Sequence, residues 1–215
     1  MPPPPPPPPP AAGQASGRRR DQQKDQTRLD LALAAFELAR QHGLAAVRVP
    51  QIAAATGVSP RTFNNYFSSK EAAIAWPATR RGTVLAARLD ARPAREPLTS
   101  ALAEATAGLY QDDETDGLPA GWLRDFRALV AAEPALHGEY LKAARTAETT
   151  LAAAIARRLG AAEDDLEPQV LAAVTAGAER AAVLYRARHA QGPATLEDTV
   201  RTAVGLALRG LAPSV

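Results

Sequence analysis

The stretch "VSPRTFNNYFSSK", residues 58–70, gathers a proline, aromatic rings, two asparagines, an arginine and a lysine in a chain otherwise rich in alanine. Ser59 followed by Pro60 is an N-cap and first-turn pair: a serine oxygen accepts from an amide that a starting helix leaves unpaired, and proline has no amide to lose. Phe63 and Phe67 stand four residues apart and so share one face, which marks them as core rather than as stacking platforms. Immediately upstream, Pro50 suits the first turn of another short helix that Gly57 stops, with Ile52 and Ala53 as its aliphatic face. The joining "TGVS", residues 56–59, needs a glycine for one positive φ, and Val58 plugs the small core between the two helices. Two short helices joined in this way make a helix-turn-helix, a unit that places its second helix in the major groove of DNA.

Moving outward, helical signals repeat and no stretch shows sustained strand alternation, so the chain is predicted to be all-α, with about nine helices. Thr27 and Asp30 resemble a capping box opening a first helix, with Leu29, Ala32, Leu33, Phe36 and Ala39 on one face and Gly43 at its end. Ser68 with Glu71 predicts a fourth helix running toward Asp90. Pro77 removes a backbone bond there, which predicts a kink or break near residues 73–77. Further helices are expected near 97–110, 119–131, 134–159, 167–190 and 195–210, and the acidic stretch 111–117 reads as a loop. The proline run at 2–10 favours an extended rod outside any packed core, so residues 1–17 are expected to form a disordered tail.

Charge is unevenly divided. Residues 18–95 hold fourteen Lys and Arg against six Asp and Glu, whereas residues 96–215 hold eleven against seventeen. A basic portion of net +8 joined to an acidic one of net −6 suggests a polyanion-binding module attached to something that stays off polyanions. The absence of cysteine excludes thiol catalysis and a disulfide framework. No apolar run is long enough for a membrane span and the N-terminus lacks a signal-peptide core, so a soluble cytoplasmic protein is expected. His42, His137 and His189 have no ligand-spaced neighbours, and neither a metal nor a cofactor is expected. No phosphate-cradling glycine loop or recognisable catalytic arrangement supports an enzyme. The alternative to a DNA-binding regulator is a helical protein-interaction adaptor without DNA binding, its proline tail serving as a docking ligand.

The stretch "VPQIAAATGVSPRTFNNYFSSKEAAI", residues 49–74, resembles the DNA-binding signature of the TetR family of transcriptional regulators, and the likeness extends back through "LDLALAAFELARQHGLAAVRV" to cover about residues 25–75. The resemblance implies a helix-turn-helix domain over residues 18–75 and a helical effector-binding and dimerisation domain over residues 76–215. It further implies a homodimer that binds a palindromic operator in double-stranded DNA, most often as a repressor released by a small-molecule effector. Residue by residue, Thr62, Asn64, Asn65 and Tyr66 should face DNA, with Ser59 at the amide-rich start of the same helix, and Lys70 should contact a phosphate. Arg61 is expected to reach a guanine or a phosphate. Asn64 stands where the family commonly has a tyrosine; an amide can pair with adenine N6 and N7, so Asn64 or Asn65 is expected to read a base, the alternative being phosphate contacts alone. Arg48 is a candidate phosphate clamp, as are Arg18, Arg19, Arg20, Lys24 and Arg28 on an arm before the first helix. An effector pocket, largely apolar, is expected among helices five to eight, with Tyr110, Trp122, Phe126 and Tyr140 as candidate lining. Dimerisation is expected through the last two helices, and Val204→Glu should then yield monomers.

Overall fold

The chain begins its described course with helix α1 (Ala12–His42), which starts well upstream of Thr27. Thr27 lies in mid-helix, its hydroxyl donating to Gln23 O at 2.9 Å. The intervening Arg, Gln and Lys side chains lose little rotamer freedom in a helix, so the helix propagates past the predicted cap. Residues 12–17, expected in the tail, stand in the first turns of this helix. The structure, a computed structural model, describes residues 12–111, 118–119, 121–189 and 194–210; the proline run and most of the acidic loop lie outside them.

Two compact units divide the chain, Met1–Ala73 and Ile74–Val215. In the first, α1 ends at Gly43, and a 3-10 turn (Leu44–Ala46) leads into α2 (Val49–Ala55) and α3 (Pro60–Tyr66). Gly57 takes φ 69°, which lets its amide reach Ala54 O at 3.2 Å and the Val58 amide reach Ala53 O at 3.0 Å. These two bonds satisfy carbonyls that the end of α2 would leave unpaired and turn the chain into α3. Ser59 Oγ accepts from the Thr62 amide at 3.0 Å, as its N-cap position predicts. Phe63 is 0 % and Phe67 6 % exposed, with ring centroids 5.7 Å apart, and Leu31, Ala32, Phe36, Ile52 and Ala53 complete the core.

Helix α4 (Lys70–Asp90) is capped by Ser69, whose Oγ accepts from the Ala72 amide at 2.9 Å, and not by Ser68. The helix starts one residue later than expected, so the third-position amide a cap must reach belongs to Ala72. Pro77 lies inside α4 without ending it.

The second unit continues with α5 (Leu98–Ala107), a 3-10 turn (Gly108–Tyr110), α6 (Trp122–Ala132), α7 (Pro134–Leu159), α8 (Leu166–Arg188) and α9 (Leu196–Gly210). Among the described residues the structure is thus all-helical, with nine α-helices and no strand. Helix α9 packs between α5 and α8, and α7 lies on α8. Leu85, Leu89, Leu102, Leu151, Ile155, Val200 and Leu208 share a core with many alanines, whose small side chains let the helices approach closely. At Gly82 the approach is close enough that an added Cβ would stand 2.5 Å from Ala147 Cα. Val204, expected on a subunit interface, is 0 % exposed inside this core. A glutamate there would therefore disrupt the unit itself and says nothing of dimerisation.

Arg158 does work that no local pattern announced. Its guanidinium donates to Pro93 O at 2.7 Å, Glu96 O at 2.9 Å and Arg92 O at 3.3 Å, tying the connection between α4 and α5 to α7. Arg201 of α9 similarly meets Glu104 of α5 at 2.9 Å.

Candidate nucleic-acid interface and ligand cavity

On α3 the buried phenyl rings orient everything else. With Phe63 and Phe67 turned inward, Ser59, Arg61, Asn64 and Asn65 are exposed and Thr62 and Tyr66 half-buried. The two asparagine amides and the Arg61 guanidinium make no hydrogen bond among the described residues, so the outer face of a short rigid helix carries unspent donors and acceptors. Thr62 Oγ1 lies 2.9 Å from Ser59 Oγ, and Tyr66 is flanked by the Arg28 guanidinium, 5.8 Å from the ring centroid.

Two cations proposed for phosphates are engaged within the unit. Lys70 Nζ donates to Leu44 O at 2.6 Å and Val47 O at 2.9 Å, closing off the end of the 3-10 turn. Arg48, the N-cap of α2, donates its side chain to Ala45 O and Val47 O, while its backbone amide donates to Gln51 Oε1 at 2.8 Å. One N–H of the Lys70 ammonium remains beyond these two bonds, with the Glu71 carboxylate 4.0 Å from the nitrogen. Arg19, Arg20 and Lys24 are exposed on α1; the side chain of Arg18 lies outside the described residues.

In the second unit, Tyr110, Trp122, Phe126 and Tyr140 come together around one cavity of about 100 Å³. Trp122 stacks on Phe126 at 4.6 Å between centroids and Tyr140 meets Phe126 edge-on at 5.7 Å. His137 and Tyr185 are exposed elsewhere, Tyr185 stacking on His189 at 4.2 Å. The cavity is not confined to helices five to eight. Helix α4 supplies part of its wall, including Arg81 and Gly82.

Arg81 pairs with Glu179 of α8 at 3.1 Å and its guanidinium lies 4.8 Å from the Tyr110 ring centroid. Tyr110 OH donates to the same Glu179 Oε1 at 2.5 Å. Burial, reinforced by the Glu179 charge, pushes the Tyr110 phenol well above its ordinary range, so it stays a neutral donor. Sequence reading missed this cluster. A signal was available, because Glu179 falls in the buried stripe of Ala172, Thr175, Ala182 and Val183, where an unpaired charge is costly.

Residues 32–74 match the profile described as "Bacterial regulatory proteins, tetR family", and residues 96–212 match "MftR C-terminal domain". The HTH-type transcriptional regulator TcmR of Streptomyces glaucescens is 35% identical over 153 residues, which span 69% of this chain and 68% of that one. The chain belongs to the TetR family. Solved structures agree with a TetR fold. A transcriptional regulator from Pseudomonas aeruginosa PAO1 superposes with TM-score 0.56 at 21% identity, covering 89% of this chain and 92% of that one. Thermus thermophilus FadR, a TetR-family repressor in complex with lauroyl-CoA, gives 0.52 at 21%, covering 86% and 94%. As a TetR-family protein, the chain is a DNA-binding transcriptional regulator. Among its described residues no helix is long and apolar enough to cross a membrane, and no group of His, Cys, Asp or Glu is placed to hold a metal ion.

Proposed function

We propose that this TetR-family regulator is a cytoplasmic homodimeric repressor that binds a palindromic operator and leaves it when a small molecule occupies the cavity of the second unit. The observation that carries the DNA reading is the outer face of α3, where Arg61, Asn64 and Asn65 stand exposed and unpaired beside a fully buried Phe63. Thr62 and Tyr66 flank that face, and at the start of α3, where Pro60 has no amide and Ser59 takes those of Thr62 and Phe63, the Arg61 amide is the one left for a phosphate to accept from. Arg48 and the remaining N–H of Lys70 are the candidates for phosphate contacts. Two copies of a helix-turn-helix related by a two-fold axis read two half-sites, which makes the operator palindromic. No catalytic step belongs to this reading.

The effector acts through α4, which begins at Lys70 and carries Arg81 and Gly82 into the cavity wall. A ligand shifts such an equilibrium only by binding one state better than the other. The cavity's aromatic side supports a largely apolar ligand body. Its volume is below the roughly 300–1,000 Å³ of common ligand clefts, so a large effector needs the walls to part.

Selection of bound sequences from random duplex DNA by the purified full chain, at near-physiological salt, tests the reading. A palindromic consensus is expected. Folded protein that enriches no sequence would leave the chain an adaptor rather than a reader of DNA.

A further inference from the structure

Charge around the cavity does not balance. Three guanidiniums line it, from Arg81, Arg127 and Arg180, against the carboxylates of Glu148 and Glu179. Tyr110 does not supply the missing anion, since its phenol stays protonated. Glu148 and Arg180 contribute one charge of each sign, so the lining as a whole carries one positive charge in excess. Glu179 is already claimed by Arg81 and by the Tyr110 hydroxyl. Arg127 is half-buried, stands close enough for its charge to bear on the Tyr110 phenol, and makes no ion pair or hydrogen bond among the described residues. A half-buried guanidinium with no acceptor among the described residues is a candidate site for one.

Resting on the effector reading above, we infer that the cavity takes a small organic carboxylate, with its anionic group on Arg127 and its apolar body against Phe126 and the Trp122 pair. The aromatic side of the cavity and the arginine are on neighbouring positions of α6, so one compact molecule spans both. Size limits the body. A cavity of about 150 Å³ in another protein holds a benzene ring, and this one, at about 100 Å³, accepts a single ring only with slight give in its walls.

Benzoate and its neutral isostere benzamide separate the possibilities. Binding is followed on the full chain by calorimetry, and its location by the indole resonance of Trp122. Benzoate is expected to bind about tenfold or more tightly than benzamide, the size of one charge-assisted bond. R127Q should abolish that preference, and R127K should restore part of it. Equal binding of the two probes, or a benzoate preference that survives R127Q, overturns the anion assignment but leaves the cavity as an apolar effector site. Failure of both probes and of toluene to perturb Trp122 would make the cavity a packing void, and both readings would fall.

Discussion

Asn64 and Lys70 sit at opposite ends of what one side chain can do in a DNA-binding unit. Asn64 is exposed with its amide unspent, and a bidentate contact of that amide with adenine contributes about 1–3 kcal/mol of discrimination. Asn64→Ala should therefore flatten the preference at one base position in each half-site of the selected sequences, leaving the other positions intact. An unchanged consensus assigns Asn64 to the backbone. Lys70 is largely inward, its side chain 18% exposed and bonded to two carbonyls of the 3-10 turn. Lys70→Met should lower stability by about 2 kcal/mol, since hydrogen bonds to a charged group are the stronger kind. Urea denaturation measures this directly, and a midpoint equal to that of the parent would show the two bonds to be dispensable. The exposed face of α3 was legible from the sequence because Phe63 and Phe67 fixed its rotation. The inward turn of Lys70 was not, since its partners are carbonyls more than twenty residues away and carbonyls carry no side-chain signature.

Among the elements, the helix-turn-helix was the most readable because its instructions are local: Ser59, Pro60 and Gly57 act on amides and carbonyls within five residues. Helix α1 shows the opposite case. Thr27 and Asp30 have the spacing of a cap, but a cap matters only where a helix begins, and good helix formers upstream moved the beginning to Ala12. The α4–α5 connection owes its shape to Arg158 on α7, contacts 62 to 69 residues distant that no periodicity encodes. Arg158→Leu keeps the apolar stem and removes the donors, leaving several loop carbonyls to find water. A loss of about 2 kcal/mol is expected, with protease sensitivity appearing first at residues 91–97. Cleavage elsewhere, with that loop still protected, would show that Arg158 is not what holds it.

For the whole molecule, the sequence disclosed an all-helical chain but not which apolar residues of α8 and α9 point inward. Alanines stand on both faces of α8 and blur its periodicity, whereas α9 is plainly amphipathic, and only packing shows that its apolar face meets the core. Val200, Val204 and Leu208 are buried, whereas Leu206 is 59% exposed, as are Val170 at 39% and Leu184 at 50% on α8. If those exposed side chains form the proposed dimer surface, Leu206→Glu should sediment as a folded monomer and bind operator DNA far more weakly. A dimer that persists in Leu206→Glu would place the subunit contact elsewhere. The contact of Gly82 with Ala147 bears on how such a regulator can change over generations. Trp122, Phe126 and Tyr140 contribute side chains to the cavity, and exchanging them alters its shape while the helices stay where they are. Gly82 contributes only backbone, against the backbone of Ala147, and any larger residue there must push two helices apart. New specificities are therefore open to descendants of this chain through the aromatic side of the cavity, while position 82 is closed to variation for as long as α4 and α7 keep their spacing.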